Sequence, residues 1–259
     1  MIETLISCEA AFVAAGQRAR ELQAGIAPEL KTSTGDYSAD VVTAADRECQ
    51  RMVLEALVCT RAVECRLVAE EAEAPELMGR FDPGGSLFLS LDPIDGTRRY
   101  TEGKPYYSLI VGLHDGTRPL YTFVYYPGLK WWMRLSDDGV ESSCPAPVPG
   151  GVGDFSKTIV YTAGDPSAEM VDRLQGQGYT VSKGDQLAAC GSKFLLLSGM
   201  AGGYYAGNPN AYDGLFALHY GQVTGRKVVS TVDLSRPEES PRGLRYGGFY
   251  LVMPPGLDP

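Results

Sequence analysis

Apolar residues recur at alternating steps of three and four along residues 3–27, at Leu5, Cys8, Phe12, Ala15, Ala19, Leu22 and Ile26. One stripe at that period predicts an amphipathic helix. A polar loop follows over 31–38, and a second helix is expected over 43–57, with Asp46 in its first turn. Residues 65–69 read as a short strand that delivers Glu70 and Glu71, and 86–91 as a buried strand after a Pro-, Gly- and acid-rich loop. The runs 107–113, 118–126 and 130–135 read as consecutive antiparallel strands, turned at Asp115-Gly116, Pro127-Gly128 and Asp138-Gly139. The Pro/Gly-rich stretch 145–153 is the best boundary. Beyond it strands at 158–162, 179–182, 204–205 and 227–230 alternate with helices at 166–176, 186–199 and 213–221. Such alternation predicts helices layered on sheet. Two tightly packed parts are expected, 1–146 and 147–259, with the functional site between them.

The 259 residues suit one large domain or two closely packed ones. A net charge of -9 without a basic tract argues against a nucleic-acid polymer or an anionic membrane as partner. No stretch of about 18 apolar residues is present to span a bilayer. The first residues lack the basic and long apolar regions of a signal peptide. Six scattered cysteines without CxxC spacing and only two histidines, His114 and His219, argue against a Cys/His zinc site. Together these features predict a cytoplasmic protein with buried, reduced thiols. Both histidines are expected to be structural.

The candidate chemistry lies in Asp92-Pro93-Ile94-Asp95-Gly96-Thr97, directly after the apolar run 86–91. Unpaired buried carboxylates cost several kcal/mol each, and divalent cations remove that cost. Pro93 starts a turn able to bring Asp92 and Asp95 together, and a helix beginning at Gly96 and Thr97 would offer backbone amides to phosphate. Oxygen ligands favour Mg²⁺. The same hexapeptide serves equally well as a surface turn. Its spacing excludes an EF-hand, since Thr97 and Gly103 stand where glycine and glutamate are needed. It also excludes an Asp-x-Asp nucleophile, since Pro93 stands two before Asp95.

Four ordered blocks resemble the inositol monophosphatase superfamily of Mg²⁺-dependent, lithium-sensitive phosphomonoesterases. Val42-Thr43-Ala44-Ala45-Asp46 is similar to its Val-Thr-x-x-Asp block, and Ala69-Glu70-Glu71 to its Gly-Glu-Glu block. Asp92–Thr97 matches Asp-Pro-x-Asp-Gly-Thr unchanged. Tyr212-Asp213-Gly214-Leu215 resembles Trp-Asp-x-Ala, with only the aspartate kept. The resemblance implies an α+β fold layered α-β-α-β-α. It implies one metal on Glu70, Asp92 and the Ile94 carbonyl, a second on Asp92, Asp95 and Asp213, and a third, weaker one touching Glu70. Asp46 and Thr97 would orient and help deprotonate the attacking water, and the Gly96 and Thr97 amides would hold phosphate. Glu71 is expected to support the site rather than to ligate.

Substrate signals are sparser. Ala206 stands where inositol-handling members carry an acidic contact, which weakens an inositol phosphate reading. Asn208 and Asn210 offer replacement hydrogen bonds or serve as turn residues. Gly191-Ser192-Lys193-Phe194 resembles the Lys-Phe element of the adenosine 3′,5′-bisphosphate nucleotidase branch. By that likeness Lys193 meets a second phosphate; otherwise it is a solvated helix residue. Arg98 and Arg99 follow the phosphate loop and either screen a substrate anion or lie on the surface. The expected function is a Mg²⁺-dependent phosphatase acting on a small phosphorylated polyol, sugar or nucleoside. A 3′-nucleotidase is the alternative within that class, and a non-catalytic metal- or ligand-binding descendant the alternative outside it. The resemblance allows a homodimer, but no interface is marked in the sequence.

Overall fold

The computed structural model describes residues 1–25, 29–30, 41–143, 145, 153–162, 164–188, 190–240 and 243–254. The expected loop at 31–38, Ile26, Cys144 and residues 146–152 of the expected boundary lie outside the described residues.

Helix α1 (Ile2–Leu22) buries Leu5, Cys8, Phe12, Ala15 and Ala19, the stripe its periodicity predicts. After a short pairing of β1 (Glu29–Leu30) with β2 (Val41–Val42), helix α2 (Ala44–Leu57) starts on Thr43. Thr43 Oγ1 accepts the Ala45 and Asp46 N–H groups, and Asp46 Oδ2 accepts the Thr43 N–H at 2.8 Å. This capping box satisfies amides that the first turn leaves unpaired.

A six-stranded sheet follows. Its strands are β3 (Arg66–Ala69), β4 (Phe88–Asp95), β5 (Ser108–His114), β6 (Pro119–Tyr126), β7 (Trp131–Ser136) and β8 (Gly139–Ser142), in that spatial order. Helices α3 (Pro75–Met78) and α4 (Thr97–Thr101) flank β4 in sequence. The second sheet has five strands in the order β10-β9-β11-β15-β12: β9 (Phe155–Tyr161), β10 (Thr180–Lys183), β11 (Ala201–Gly207), β12 (Val228–Ser230) and β15 (Phe249–Val252). Helices α5 (Ala168–Gly176), α6 (Gly184–Leu187), α7 (Gly191–Leu197) and α8 (Phe216–Val223) lie between these strands in the chain, and β13 (Glu238–Ser240) pairs with β14 (Gly243–Arg245).

Side-chain alternation builds the layers. Leu109, Val111 and Leu113 of β5 and Tyr121, Phe123 and Tyr125 of β6 pack with Leu5, Phe12, Val53 and Leu57 of α1 and α2. The intervening Ile110, Val124 and Tyr126 join Phe194 and Leu197 of α7, Phe216 of α8, and Val160, Tyr204, Tyr250 and Val252 of the second sheet. Ile159, Tyr205 and Leu251 point to the far face, against Met170 and Leu174 of α5. The order is therefore helices, sheet, helices, sheet, helix. The central strands β5 and β6 are covered on both faces, which is why they read as near-continuous apolar runs. Each of these buried large side chains contributes roughly 1.5–3 kcal/mol. Among the described residues, no helix is long and apolar enough to cross a membrane.

Several elements depart from expectation. Strand β4 does not end at Leu91 but runs through Pro93 to Asp95, because an irregularity between Asp92 and Asp95 accommodates the proline. The expected helix at 186–199 is two short helices, broken where Ala188 is extended and Gly191 takes φ +75°. The extended segment expected at 204–205 is a full buried strand, 201–207, and the helix expected from 213 starts at Phe216. Strands β8 and β13 to β15 carried no signal read above. Cys59 is exposed, whereas Cys8, Cys49, Cys65 and Cys190 are buried and free as expected.

Candidate active site

The irregularity in β4 creates the site. Leu89 and Leu91 face α1 and α2, so Asp92 faces the central layer, opposite the inward Ile110. Strict alternation would return Ile94 to that layer and turn Asp95 away. Instead three residues of β4 span two of β5, with Asp92 opposite Ile110 and Asp95 opposite Ser108. One extra residue resets the pleat, so both aspartates face the central layer. Ile94 packs outward with Ala19, Ala45, Tyr100 and Tyr107. Asp213 arrives from the segment before α8. One carboxylate oxygen from each of Asp92, Asp95 and Asp213 lies within 4.8 Å of the others.

These groups are poorly hydrated. Asp92 is 3% exposed and Asp213 9%. Burial raises the Asp92 pKa well above the usual carboxylate range, and the charges of Glu70, Asp95 and Asp213 push it further. Asp95 is also raised, chiefly by burial, against the pull of Lys193. Asp92 Oδ1 and Asp213 Oδ1 are buried without a hydrogen-bond partner. Leaving such atoms unpaired is costly, and a hard cation is the partner that satisfies them. The donor set therefore fits a divalent cation.

Glu70 follows β3 directly, its N–H donating to Leu91 O at 3.0 Å, so it stands beside Asp92 across the parallel pair. Gln50, unnoticed in the sequence, sets this corner. Its buried amide donates to Glu71 O at 2.6 Å and accepts the Glu71 N–H at 3.2 Å. Its one available signal is its place one turn after Asp46, on the same face of α2. Glu71 is buried.

Asp46 has two tasks. Its Oδ2 closes the α2 cap, accepting the Thr43 N–H and hydroxyl, while its Oδ1 lies 3.4 Å from Thr97 Oγ1. Thr97 Oγ1 also lies 3.0 Å from Ile94 O, so one hydroxyl proton faces two acceptors. Burial raises the Asp46 pKa to about 7; the Thr43 hydrogen bond opposes this, and the Glu70 and Glu71 charges add to it. Gly96 takes φ +87°, a left-handed turn that glycine enters without penalty, and α4 begins on it with the Arg99 and Tyr100 N–H groups bonded to Gly96 O.

Lys193 is not a solvated helix residue. Its side chain is 11% exposed, and its ammonium lies 2.5 Å from Asp95 Oδ1 and hydrogen-bonds Asp213 Oδ2. Burial pulls its pKa down, but Asp213 and Asp95 override this and hold it well above the usual lysine value. Its ammonium faces the carboxylates of Asp95 and Asp213. Arg99 is no free surface group either: it pairs with Asp185 and its guanidinium crosses Gly191, where a Cβ would sit 2.5 Å from Nη2. Arg98 pairs with Glu102 on the surface.

Asn208 is a turn residue at φ +47°, bonded to Gly248 through both its backbone and its side chain. Asn210 backs Gly214, whose N–H donates to Asn210 O. His114 and His219 lie away from the carboxylates, bonded to Tyr246 and Thr122 respectively.

Comparison with known proteins agrees with this fold. Residues 2–182 match the family model described as the inositol monophosphatase family. A fructose-1,6-bisphosphatase/inositol-1-monophosphatase of Thermococcus kodakarensis is 26% identical over 113 residues, 41% of each chain, so the matched region spans under half of that curated relative. A staphylococcal IMPase-I solved with products has a TM-score of 0.66 at 15% identity, covering 98% of this chain and 92% of the other. An IMPase/NADP phosphatase solved with Mg²⁺ and phosphate has a TM-score of 0.62 at 17% identity, covering 90% and 84%. At these identities the structural likeness is one of fold.

Proposed function

The chain belongs to the inositol monophosphatase family, and from that premise we propose that it is a divalent-cation-dependent phosphatase. Its substrate in this reading is the phosphate monoester of a small polyol, sugar or nucleoside, and water is the nucleophile. The observation that carries the reading is the convergence of Asp92, Asp95 and Asp213 beside the Asp46–Thr97 pair.

In this reading Glu70, Asp92, Asp95, Asp213 and the Ile94 carbonyl hold Mg²⁺. Bound there, Mg²⁺ lowers the pKa of water and neutralises charge on the leaving oxygen. The amides of Gly96 and Thr97, at the start of α4, bind phosphate oxygens. Thr97 Oγ1 orients the attacking water and Asp46 Oδ1 receives its proton. A carboxyl pushed up to about 7 by burial suits that transfer near neutral pH. The flanking Tyr126, Tyr204 and Phe216 are buried and keep bulk water from the carboxylates. Phosphoryl transfer depends mainly on positioning and charge stabilisation, so no covalent nucleophile is needed.

The test is phosphate release with Mg²⁺ from inositol 1-phosphate, fructose 1,6-bisphosphate, adenosine 3′,5′-bisphosphate and NADP. Release from at least one and its loss in Asp95→Asn, with circular dichroism unchanged, is the expected result. Undiminished release by the folded variant would overturn the assignment.

A further inference from the structure

Lys193 does more than neighbour the acidic cluster. Resting on the cation-site reading above, we propose that its ammonium permanently fills one cation position, so that the site takes one strongly held divalent cation where the family resemblance implies two.

Of the three carboxylates implied for a second metal, two already give an oxygen to Lys193: Asp95 Oδ1 at 2.5 Å and Asp213 Oδ2. The remaining oxygen of Asp95 lies 3.3 Å from the Ser108 hydroxyl. Among the described residues, Asp92 Oδ1 and Asp213 Oδ1 are buried without a hydrogen-bond partner. They suit one shared cation, not two separate ones. A second divalent ion on the same oxygens would meet the ammonium at close range in a poorly hydrated site, where like charges repel strongly.

The ammonium is also held in place. The next residue, Phe194, packs against Tyr106, Tyr126 and Trp131 with ring centroids 5.3, 5.2 and 5.8 Å away. The Phe216 ring lies 5.5 Å from Nζ, a favourable cation–π position. Gly191 opens α7 in a left-handed turn that aims the following residues inward. The likeness of Gly191–Phe194 to a bisphosphate nucleotidase element suggested a phosphate contact, but the geometry assigns the charge to the carboxylates.

The test counts bound ions without substrate or turnover. Full-length protein is titrated with Mn²⁺, by calorimetry and by the electron paramagnetic resonance signal of free Mn²⁺. Wild type is expected to bind one Mn²⁺ per chain with Kd below about 100 µM. Lys193→Met, of similar length but without charge or donor, is expected to bind a second ion at least about tenfold more tightly than wild type does. Two equally strong ions in wild type would overturn the proposal, and this holds even if the variant fails to fold. A folded variant that still binds only one would also overturn it. No Mn²⁺ binding at all would instead overturn the cation-site reading beneath it.

Discussion

Acidification should weaken the fold through its buried histidines, and His114 allows the effect to be isolated. Its ring stacks on Phe88, with centroids 4.6 Å and planes 6° apart. Nδ1 accepts the Gly116 N–H at 3.2 Å, so the ring is neutral, with its proton on Nε2 facing the Tyr246 hydroxyl at 2.7 Å. Burial lowers its pKa from 6.5 to about 4, against a smaller upward pull from Asp115. Between those values the unfolded chain binds a proton that the folded chain refuses, so stability falls as pH falls through the window. With 6.5 unfolded and about 4 folded, the loss from pH 7 to pH 5 is about 2 kcal/mol. Asp46, Asp92 and Asp95 act in the opposite sense, because their folded pKa values are raised and acid relieves them. The difference between wild type and His114→Gln cancels that shared contribution. Urea unfolding should find the variant less stable at pH 7, where it lacks the ring stack and the Tyr246 bond. That gap should narrow by about 2 kcal/mol at pH 5. A gap unchanged within about 0.5 kcal/mol would refute the neutral buried ring.

Asp46→Asn should lower kcat by about 10²–10⁴ at pH 7.5 in steady-state phosphate release, because Oδ1 can no longer take a proton; a change under about threefold would remove Asp46 from the mechanism. Gly191→Ala should destabilise by roughly 1–2 kcal/mol in urea, since alanine is strained at φ +75° and its Cβ displaces Arg99 from Asp185. Phe194→Ala should cost about 3–5 kcal/mol by opening a cavity among Tyr106, Tyr126 and Trp131, and a lowered thermal midpoint would report it. Saturating Mg²⁺ at about 100 times its Kd should add about 2.7 kcal/mol to wild-type stability, read as a rise in that midpoint over protein in chelator.

Local chemistry made much of this legible. The α1 stripe, the Thr43–Asp46 start of α2 and the antiparallel strands announce themselves because each depends on neighbours within a few residues. Asp92 and Asp95 also stood out, since carboxylates after an apolar run need a partner. What local pattern could not supply is which way a side chain points after an irregularity. Pro93 read as a turn, yet it lies within a strand whose extra residue aligns the two aspartates. Lys193 read either as a phosphate contact, by likeness, or as a solvated position on a continuous helix; its place beside Asp95 and Asp213 was not legible, because the break at Gly191 that precedes it is a matter of backbone conformation. Gln50 was invisible because its partner is the backbone of Glu71, twenty-one residues away. Strand β15 was missed because its four residues gain meaning only from β11 and β12 on either side.

The layering explains why such a charged site is tolerated inside the molecule. Asp92 and Asp95 belong to the first sheet, whereas Lys193 and Asp213 come from segments that flank β11 of the second. Asp92 and Asp95 carry two negative charges with no cation of their own sheet beside them, while Lys193 and Asp213 carry one charge of each sign. The sheet supplies negative charge with little positive charge, and α7 supplies a lysine that burial would neutralise without Asp95 and Asp213. Bringing the two together desolvates both, a penalty that each set offsets for the other. The site is therefore assembled by the same packing that joins Ile110 and Tyr126 to Phe194 and Phe216. If these carboxylates hold the proposed cation, a core substitution such as Phe194→Ala that loosens the central layer should weaken Mn²⁺ binding, although Phe194 is not one of the clustered acids. Unchanged Mn²⁺ affinity in a destabilised Phe194→Ala would show that the carboxylates hold their arrangement without the central layer.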